Sequence, residues 1–301
     1  MVQASESPLH EFVLSLDCPE RPGIVHAVSG FLLKHGGDIH ELRQFDDFHE
    51  GRFFLRVHFV SRPGPDSPQV AVDPELELQR LRGAFSELGA GYQMQWSLRP
   101  LNEKRRVLVM VSKFGHCLND LLYRSRMGEL PVEIVAVVSN HLDHQSLVQW
   151  HGIDYHHVPV TAETKPAAEA RLLELMEDYD VELVVLARYM QILSDELSRQ
   201  LTGRTINIHH SFLPSFKGAK PYHQAHARGV KTVGATAHYV NSELDEGPII
   251  SQQVQDVDHT FSPADLVAAG RDTECRALSN AVRWHCEGRV FLLENRTVVL
   301  R

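Results

Sequence analysis

The chain has 301 residues, of which 43% are hydrophobic and 23% are charged, and its formal net charge at pH 7 is −9. This composition is ordinary for a folded protein and excludes an intrinsically disordered chain. The excess of acidic residues gives no bulk attraction to nucleic acid or to an anionic membrane. No apolar run reaches the roughly 18 residues that a membrane helix needs. The length favours two domains of roughly 150 residues each.

The four cysteines lie far apart, and none has the CxxC spacing of a zinc ribbon. The first residues lack the basic segment and apolar core of a secretory signal. We therefore expect no disulfide framework, a reducing compartment and a cytoplasmic location. The 19 histidines are the unusual feature of the composition. Because imidazole titrates near neutral pH, each histidine can serve as an acid, a base or a metal ligand.

The first hundred residues predict six elements in the order strand, helix, strand, strand, helix, strand. The predicted strands are 9–16, 38–47, 52–60 and 92–98, and the predicted helices are 24–34 and 74–88. We expect the second helix to stop at Gly89. The segment 61–68 is rich in proline, glycine and serine, so we expect an exposed and mobile loop there. The order βαββαβ is typical of a ferredoxin-like α+β domain.

A polar, proline-containing segment at 99–105 predicts a linker between domains 1–98 and 106–301. Beyond it, strands alternate with helices. Short and mostly apolar strands are predicted at 107–111, 134–138, 181–186 and 205–208, with helices near 117–126, 141–150 and 166–179. Strands of this kind are buried on both faces of a parallel sheet, which predicts a doubly wound α/β domain. Strands at 232–240 and 248–257, a helix at 263–285 and a hairpin at 290–300 complete the predicted domain.

The densest group of polar residues begins at the end of the predicted strand 205–208, and ligands of open α/β sheets bind at that edge. Asn207 and His209 are two residues apart in extended chain and therefore share one side. An amide and an imidazole placed side by side can both donate to one developing oxyanion. Further along, a turn presents Asp245, and a carboxylate beside an imidazole raises the imidazole pKa and orders an attacking water.

Each of these features also has a purely structural interpretation. A lone Asn-Ile-His at a strand end is more often a hydrogen-bonded loop pair than a catalytic one, and Asp-Glu-Gly-Pro alone is a common turn. His223 and His226 have the i,i+3 spacing of a metal pair, but no third ligand has a matching position. We interpret both as helix-surface or pocket residues. Other paired histidines, interpreted as surface residues, are His141, His144, His156 and His157.

Four segments together resemble the active-site signature of the family of 10-formyltetrahydrofolate-dependent formyltransferases. They are Asn207-Ile-His209, the loop 211–218, Gly234-Ala-Thr236-Ala-His238 and Asp245-Glu-Gly-Pro-Ile-Ile. The resemblance implies that Asn207, His209 and Asp245 form the catalytic set. It also implies substrate-binding residues, including a loop whose backbone contacts the pterin ring: Arg188, Tyr189, Met190, Gln191, Ile192, Leu193, Thr236, His238 and Gly247. The role of His210, which stands where some members have proline, stays open.

The first βα turn of the predicted α/β domain departs from the members that act on glycinamide ribonucleotide. Those members have a Gly-Ser-Asn type of loop that cradles a phosphate. Here the segment 111–120 has a single glycine and bulkier side chains, which hinder the approach of backbone to a phosphate, although Lys113 can still meet an anion. The N-terminal turn Arg21–Val25 is similar to the ligand loop of ACT domains. The domain pair resembles one branch of the family, and this resemblance implies hydrolysis of 10-formyltetrahydrofolate to formate and tetrahydrofolate, which balances folate pools and supplies formate for purine synthesis.

Two alternatives stay open at this point. The same catalytic set serves a transferase that formylates an amine such as glycinamide ribonucleotide, because both reactions pass through one tetrahedral carbon. A folate-binding or amino-acid-sensing regulator without activity is the second alternative. The ACT-like domain implies a homo-oligomer with an amino-acid effector, or else a purely structural dimerisation module. Apart from the folate substrate we expect no cofactor, no metal, no nucleic-acid partner and no membrane partner.

Overall fold

The computed structural model describes residues 10–62, 73–213 and 221–301. The chain divides into two compact units. The first comprises Met1–Glu103 with Glu287–Phe291 and Val298–Arg301, and the second comprises Lys104–Cys286 with Leu292–Thr297. The division lies between Glu103 and Lys104. Residues 99, 100 and 105 of the segment predicted as a linker belong to the strands Gln95–Pro100 and Arg105–Val111. The two C-terminal segments, which the sequence assigns to the second domain, are grouped with the first unit.

The first unit contains a four-stranded antiparallel sheet and two helices. Its elements are β1 (His10–Pro19), α1 (Ile24–Lys34), β2 (Gly37–Asp47), β3 (Arg52–Ser61), α2 (Pro74–Gly91) and β4 (Gln95–Pro100). The strand order is β2-β3-β1-β4, with antiparallel neighbours throughout. This is the ferredoxin-like plan that the sequence predicts, and it is consistent with an ACT-like domain.

The helices of this unit form where the apolar residues recur at helical spacing. Ile24, Val28 and Leu32 recur every four residues and give α1 one buried face, which packs in the core that the sheet also lines. At the start of α2, the Asp73 side chain accepts a hydrogen bond from the Glu75 N–H at 2.9 Å. That capping bond, with Pro74 in the first turn, fixes the beginning of the helix.

Several details of the predicted first domain are wrong. The first strand continues to Pro19 and does not end at residue 16, and the last strand is Gln95–Pro100 and not 92–98. Helix α2 does not stop at Gly89 but continues to Gly91. Gly89 is buried because Trp96 packs against it, and a Cβ there would lie 2.5 Å from the Trp96 Nε1 atom. Ser61 is not part of an exposed loop, since it ends β3 and its buried hydroxyl donates to Glu77 at 2.6 Å. Residues 63–68 of the predicted loop lie outside the described residues.

The second unit contains a seven-stranded sheet with helices, and a terminal hairpin follows whose residues are divided between the two units. Its elements are β5 (Arg105–Val111), α3 (His116–Arg126), β6 (Val132–Ser139), α4 (Gln145–Trp150), β7 (Asp154–His157), α5 (Lys165–Asp178), β8 (Leu183–Leu186), α6 (Asp195–Gln200), β9 (Thr205–His209), α7 (Pro221–Arg228), β10 (Thr232–Tyr239), β11 (Ile249–Asp256) and α8 (Pro263–Cys286). The terminal hairpin consists of β12 (Val290–Leu293) and β13 (Arg296–Val299).

The large sheet has the strand order β11-β10-β9-β8-β5-β6-β7. Strands β5 to β9 pair in parallel, whereas β10 and β11 add as antiparallel strands at one edge. The sheet is mostly parallel, as the sequence predicts for a doubly wound α/β domain. The predicted fold class is therefore confirmed. From β5 the chain proceeds outward through β6 and β7, then returns to β8 and β9 on the other side of β5. This reversal creates the crevice in which open α/β sheets bind ligands.

Three short elements show the limits of periodicity. The sequence pattern does not predict strand β7 or helix α6, because four and six residues are too few to show a period. Helix α4 begins at Gln145 and not at residue 141. Within the described ranges, no helix combines the length and the apolar character that crossing a membrane requires.

Candidate active site

A cavity of about 670 Å³ opens beyond the carboxyl ends of β5, β8 and β9. It lies at the place where the strand order reverses, as the sequence predicts for a ligand site. The predicted site residues that line the cavity are Arg188, Tyr189, Met190, Gln191, Ile192, Leu193, Asn207, His209, His238 and Asp245. Residues from separate segments of the chain therefore meet around one space.

Two predicted substrate-binding residues lie behind the cavity wall. The Thr236 hydroxyl donates to the Ser211 carbonyl at 3.0 Å and accepts from the Leu213 N–H at 3.1 Å. Gly247 packs so closely on β10 that a Cβ would lie 1.7 Å from the Tyr239 carbonyl oxygen. Both residues therefore hold segments that border the cavity, and neither is among its lining residues. The predicted loop 211–218 is described only as far as Leu213.

The side-chain amide of Asn207 is oriented by His238 on the neighbouring strand. The two residues face each other across β9 and β10, and Asn207 Nδ2 lies 3.2 Å from His238 Nε2. His238 Nδ1 lies 2.8 Å from the Tyr239 carbonyl, which can only accept, so Nδ1 carries the proton and Nε2 receives the amide N–H. Burial lowers the pKa of His238 and keeps the ring neutral. The second amide hydrogen of Asn207 is left for another acceptor.

His209 pairs with Asp245 through one ring nitrogen and leaves the other available. His209 Nδ1 lies 3.1 Å from a carboxylate oxygen of Asp245. His238 Nε2 is 3.8 Å from the other oxygen, too far for a hydrogen bond, and already accepts from Asn207. Burial by itself raises the pKa of Asp245, but the hydrogen bond and charge of His209, with the other imidazoles nearby, outweigh burial and lower it. An ionised Asp245 accepts the Nδ1 proton of His209.

The second ring nitrogen of His209 indicates where a ligand atom binds. His209 Nε2 is buried and, among the described residues, has no hydrogen-bond partner. Leaving a buried polar nitrogen unpaired costs about 1–3 kcal/mol, so its position at a cavity wall points to a ligand atom that completes the bond. With the Asn207 amide, this nitrogen can hold one oxygen that becomes negatively charged during a reaction.

His210 joins this site as a neutral ring. Its centroid lies 5.1 Å from that of His209 and 6.4 Å from that of Tyr222. Burial, followed by the charges of Arg188 and His209, lowers the pKa of His210 to about 4. At neutral pH it is therefore an uncharged cavity residue, adjacent to the charged groups on both sides.

A second buried cluster in the same cavity escaped the sequence reasoning. Glu274 accepts a hydrogen bond from the Tyr222 hydroxyl at 2.9 Å and from His116 Nε2 at 2.7 Å, and Arg188 Nε lies 3.4 Å away. Burial raises the pKa of Glu274, but its hydrogen bonds with His116 and Tyr222 and the charge of Arg188 prevail and lower it. The signal in the sequence is a glutamate on the otherwise apolar face of α8, which includes Leu266.

Ligand atoms of His116, Cys117 and Glu274 lie within 4.8 Å of one another. A cysteine binds metal as the thiolate, whereas a hydrogen bond with Cys275 and burial raise the pKa of Cys117 well above its usual range. His116 and Glu274 also satisfy each other. The other histidine pair considered for metal, His223 and His226, is exposed on α7, and His223 lines the cavity.

Comparison with known proteins identifies the family. Residues 105–282 match the family model described as Formyl transferase. The chain is 65% identical to formyltetrahydrofolate deformylase of Corynebacterium sp. (strain P-1), over 96% of this chain and 98% of that protein. A crystal structure of formyltetrahydrofolate deformylase from Burkholderia mallei superposes with a TM-score of 0.89 at 50% identity, covering 97% of this chain and 100% of that chain. A crystal structure of glycinamide ribonucleotide transformylase 1 from Symbiobacterium toebii superposes with a TM-score of 0.63 at 31% identity. The match covers 68% of this chain and 98% of that chain.

The chain therefore belongs to the formyl transferase family. Within that family it groups with the formyltetrahydrofolate deformylases, whose similarity extends over nearly the whole chain. The glycinamide ribonucleotide enzyme matches about two thirds of this chain although almost all of its own length is covered. The N-terminal unit is thus a shared feature of the deformylases to which this chain is similar.

Proposed function

We propose that this protein hydrolyses 10-formyltetrahydrofolate to formate and tetrahydrofolate. The observation that carries the proposal is the buried Nε2 atom of His209, which has no hydrogen-bond partner in the described part of the chain. It lies beside the oriented amide of Asn207, at a cavity wall that includes Asp245. The full-length similarity to proteins named formyltetrahydrofolate deformylase supports the same reaction.

The reaction begins with the attack of water on the formyl carbon. As the new C–O bond forms, the carbonyl π electrons move to the formyl oxygen. The second amide hydrogen of Asn207 and the Nε2 proton of His209 donate to this oxyanion. Removing one donor of this kind costs about 3–4 kcal/mol of transition-state stabilisation in comparable sites. Asp245 accepts the Nδ1–H of His209 with one carboxylate oxygen and, as the local base, receives the proton of the attacking water.

Collapse of the tetrahedral carbon completes the reaction. The oxyanion electrons re-form the carbonyl bond, and the C–N10 bond breaks with its electron pair moving to nitrogen. His209 supplies the proton that N10 takes up, directly or through water, so that tetrahydrofolate leaves with an N10–H bond. The proton that Asp245 took from water then returns to His209, and formic acid ionises to formate with release of its proton to solvent. Because the formyl group sits on an aniline-like nitrogen, it is already activated, and we propose that neither a metal nor a second cofactor takes part. We also propose that the protein acts in the cytoplasm.

The segment 188–193 is our proposed contact for the pterin ring. Its position is set by the end of β5, where the Ser112 N–H donates to the Arg188 carbonyl at 3.2 Å and the Ser112 hydroxyl accepts from the Met190 N–H at 3.0 Å. Met190 and Ile192 are exposed apolar side chains of this segment. A flat ring can lie against such side chains while backbone groups pair with its polar edge.

The test is formate release from 10-formyltetrahydrofolate by the purified full chain, with no amine present. We expect hydrolysis without any acceptor. Asn207→Ala and His209→Ala should each lower turnover by about 100-fold or more, because each removes an oxyanion donor. Faster formyl transfer to glycinamide ribonucleotide than to water would contradict the proposal and favour the transferase.

For the N-terminal unit we propose a homo-oligomer whose activity responds to a small amino acid, with glycine and methionine as the first candidates. Strand β2 lies at a sheet edge and carries the exposed Phe45, and pairing with a second copy would cover that edge. Phe45→Lys should lower the mass measured by light scattering, whereas Tyr123→Lys, an exposed aromatic of the second unit, should not. An unchanged mass, with activity indifferent to both amino acids, would contradict the proposal.

A further inference from the structure

One wall of the cavity contains polar groups that surround a buried carboxylate. The buried carboxylate of Glu274 has His116, Tyr222 and Arg188 as its partners, at 2.7, 2.9 and 3.4 Å. Phe114 adds an aromatic face 5.7 Å from the Arg188 guanidinium. These five residues, which we call the polar wall, come from the segments after β5 and β8 and from α3, α7 and α8, and all five line the cavity.

Arg188 holds its place in this wall at a conformational cost. Its backbone φ is +66°, in the left-handed region that suits glycine and disfavours a long side chain. Its side chain is only 10% exposed, and its Nε makes no hydrogen bond to any described residue. Buried ion pairs add little to stability when compared with apolar packing. Neither the strained backbone nor the buried pair is therefore explained by folding, and strain of this kind concentrates at functional sites.

The polar wall and the proposed catalytic residues face the same part of the cavity. His210 lies near both groups, since its ring centroid is 5.1 Å from that of His209 and 6.4 Å from that of Tyr222. Any formyl acceptor must enter this space. An amine needs an acceptor for its N–H groups. Glu274, the carboxylate of the polar wall, already accepts hydrogen bonds from His116 and Tyr222 and has Arg188 Nε 3.4 Å away. Water, being smaller than an amine, needs less of this space.

We propose that Arg188 is the specificity residue that restricts the formyl acceptor to water. The backbone of the segment 188–193 is the proposed pterin contact, whereas the Arg188 side chain lies beside Glu274 and, in this proposal, narrows the space through which an amine would reach the formyl carbon. The inference rests on the hydrolysis proposed above, because it explains why the same catalytic set releases formate instead of transferring the formyl group.

The test measures where the formyl group goes. Arg188→Gly removes the side chain and suits the positive φ, and Arg188→Asn provides a second short side chain that tolerates the same conformation. Each variant is incubated with 10-formyltetrahydrofolate and either glycinamide or glycinamide ribonucleotide, and formate and formylated amine are quantified together. We expect the amine fraction to rise about 10-fold or more in both variants, the order of discrimination that a steric change in a pocket provides.

Two controls separate the effect of the size of the Arg188 side chain from the effects of its charge and of relieving a positive φ. Arg188→Met keeps a long side chain without charge and should retain the preference for water. Asp180→Gly relieves a positive φ of 48° at an exposed position away from the cavity and should leave the partition unchanged. A residue with only a structural role would alter stability and total rate while leaving the partition between water and amine the same.

The outcomes distinguish this inference from the proposed function. Suppose that the unmodified chain hydrolyses its substrate and that Arg188→Gly and Arg188→Asn give the same ratio of formate to formylated amine as the unmodified chain. Arg188 is then not the specificity residue, and only the inference fails. Equal amine transfer by Arg188→Met and Arg188→Gly would also overturn it, because bulk would then be irrelevant. If the unmodified chain transfers formyl to amines and releases no formate to water, the proposed function itself fails.

Discussion

Gly270 provides a sharp test of the packing around the cavity. It lies in the interior of α8, where a Cβ would be 2.1 Å from Cζ and 2.2 Å from the hydroxyl oxygen of Tyr222. An interior glycine normally weakens a helix, and replacing it with alanine gains about 1 kcal/mol. For Gly270→Ala we expect the opposite sign, because the added methyl group must displace the Tyr222 ring from Glu274.

The size of the effect follows from three contributions. Losing the hydrogen bond from Tyr222 to the Glu274 carboxylate, 2.9 Å long, costs about 1.5–3 kcal/mol. Forcing a methyl group into a filled space costs a further ~1–3 kcal/mol. After subtraction of the gain in helix propensity, the free energy of unfolding should fall by about 3 kcal/mol, within a range of ~1.5–5 kcal/mol.

The assay is urea unfolding with a matched glycine and a second background. Gly83 lies inside α2, and a Cβ added there would meet nothing within 4 Å, so Gly83→Ala should stabilise the protein by up to about 1 kcal/mol. In a Tyr222→Ala background the steric conflict disappears, and Gly270→Ala should then be neutral or stabilising. Stabilisation by Gly270→Ala in the unmodified chain, or an equal loss in both backgrounds, would refute the reasoning.

Three further predictions concern charge and metal. Asp245→Asn should lower turnover by about 100-fold or more with little change in folate KM, because its charge matters as the oxyanion forms, and unchanged turnover would exclude it from the mechanism. The pKa of His210 is 6.5 for an unperturbed histidine and about 4 in the folded protein. The part of the unfolding free energy that depends on a neutral His210 is therefore fully present above pH 6.5 and is lost as the pH falls toward 4. Between pH 7.5 and pH 5 the unmodified protein should lose about 2 kcal/mol more of its unfolding free energy than His210→Gln, and parallel curves would contradict this. Exhaustive chelation should leave activity intact, whereas specific restoration by zinc or iron would overturn the metal-free reaction.

Much of the fold could be predicted because its signals are local. The bounds of α1 follow from apolar residues at helical spacing, and the buried strands of the parallel sheet stand out as short apolar runs. Asn207 and His209 could be placed on one side of the chain from the period of a strand alone. The hydrogen bond between Asn207 and His238 depends on the antiparallel register of β9 and β10, which no local pattern determines.

The polar wall could not be predicted from the sequence, because its contacts join residues that are far apart along the chain. His116 and Glu274 are 158 positions apart, and their contact exists only after the sheet has closed. A glutamate on the mostly apolar face of α8 is the one local sign of it. The wall and the catalytic set also use burial in opposite ways. Glu274 accepts hydrogen bonds from two protein groups, whereas a buried nitrogen of His209 has no partner among the described residues, at a cost to folding. A substrate oxygen can relieve that cost at His209, but an ionised carboxylate offers such an oxygen no hydrogen bond, so we expect the reacting oxygen to bind at His209 and not at Glu274.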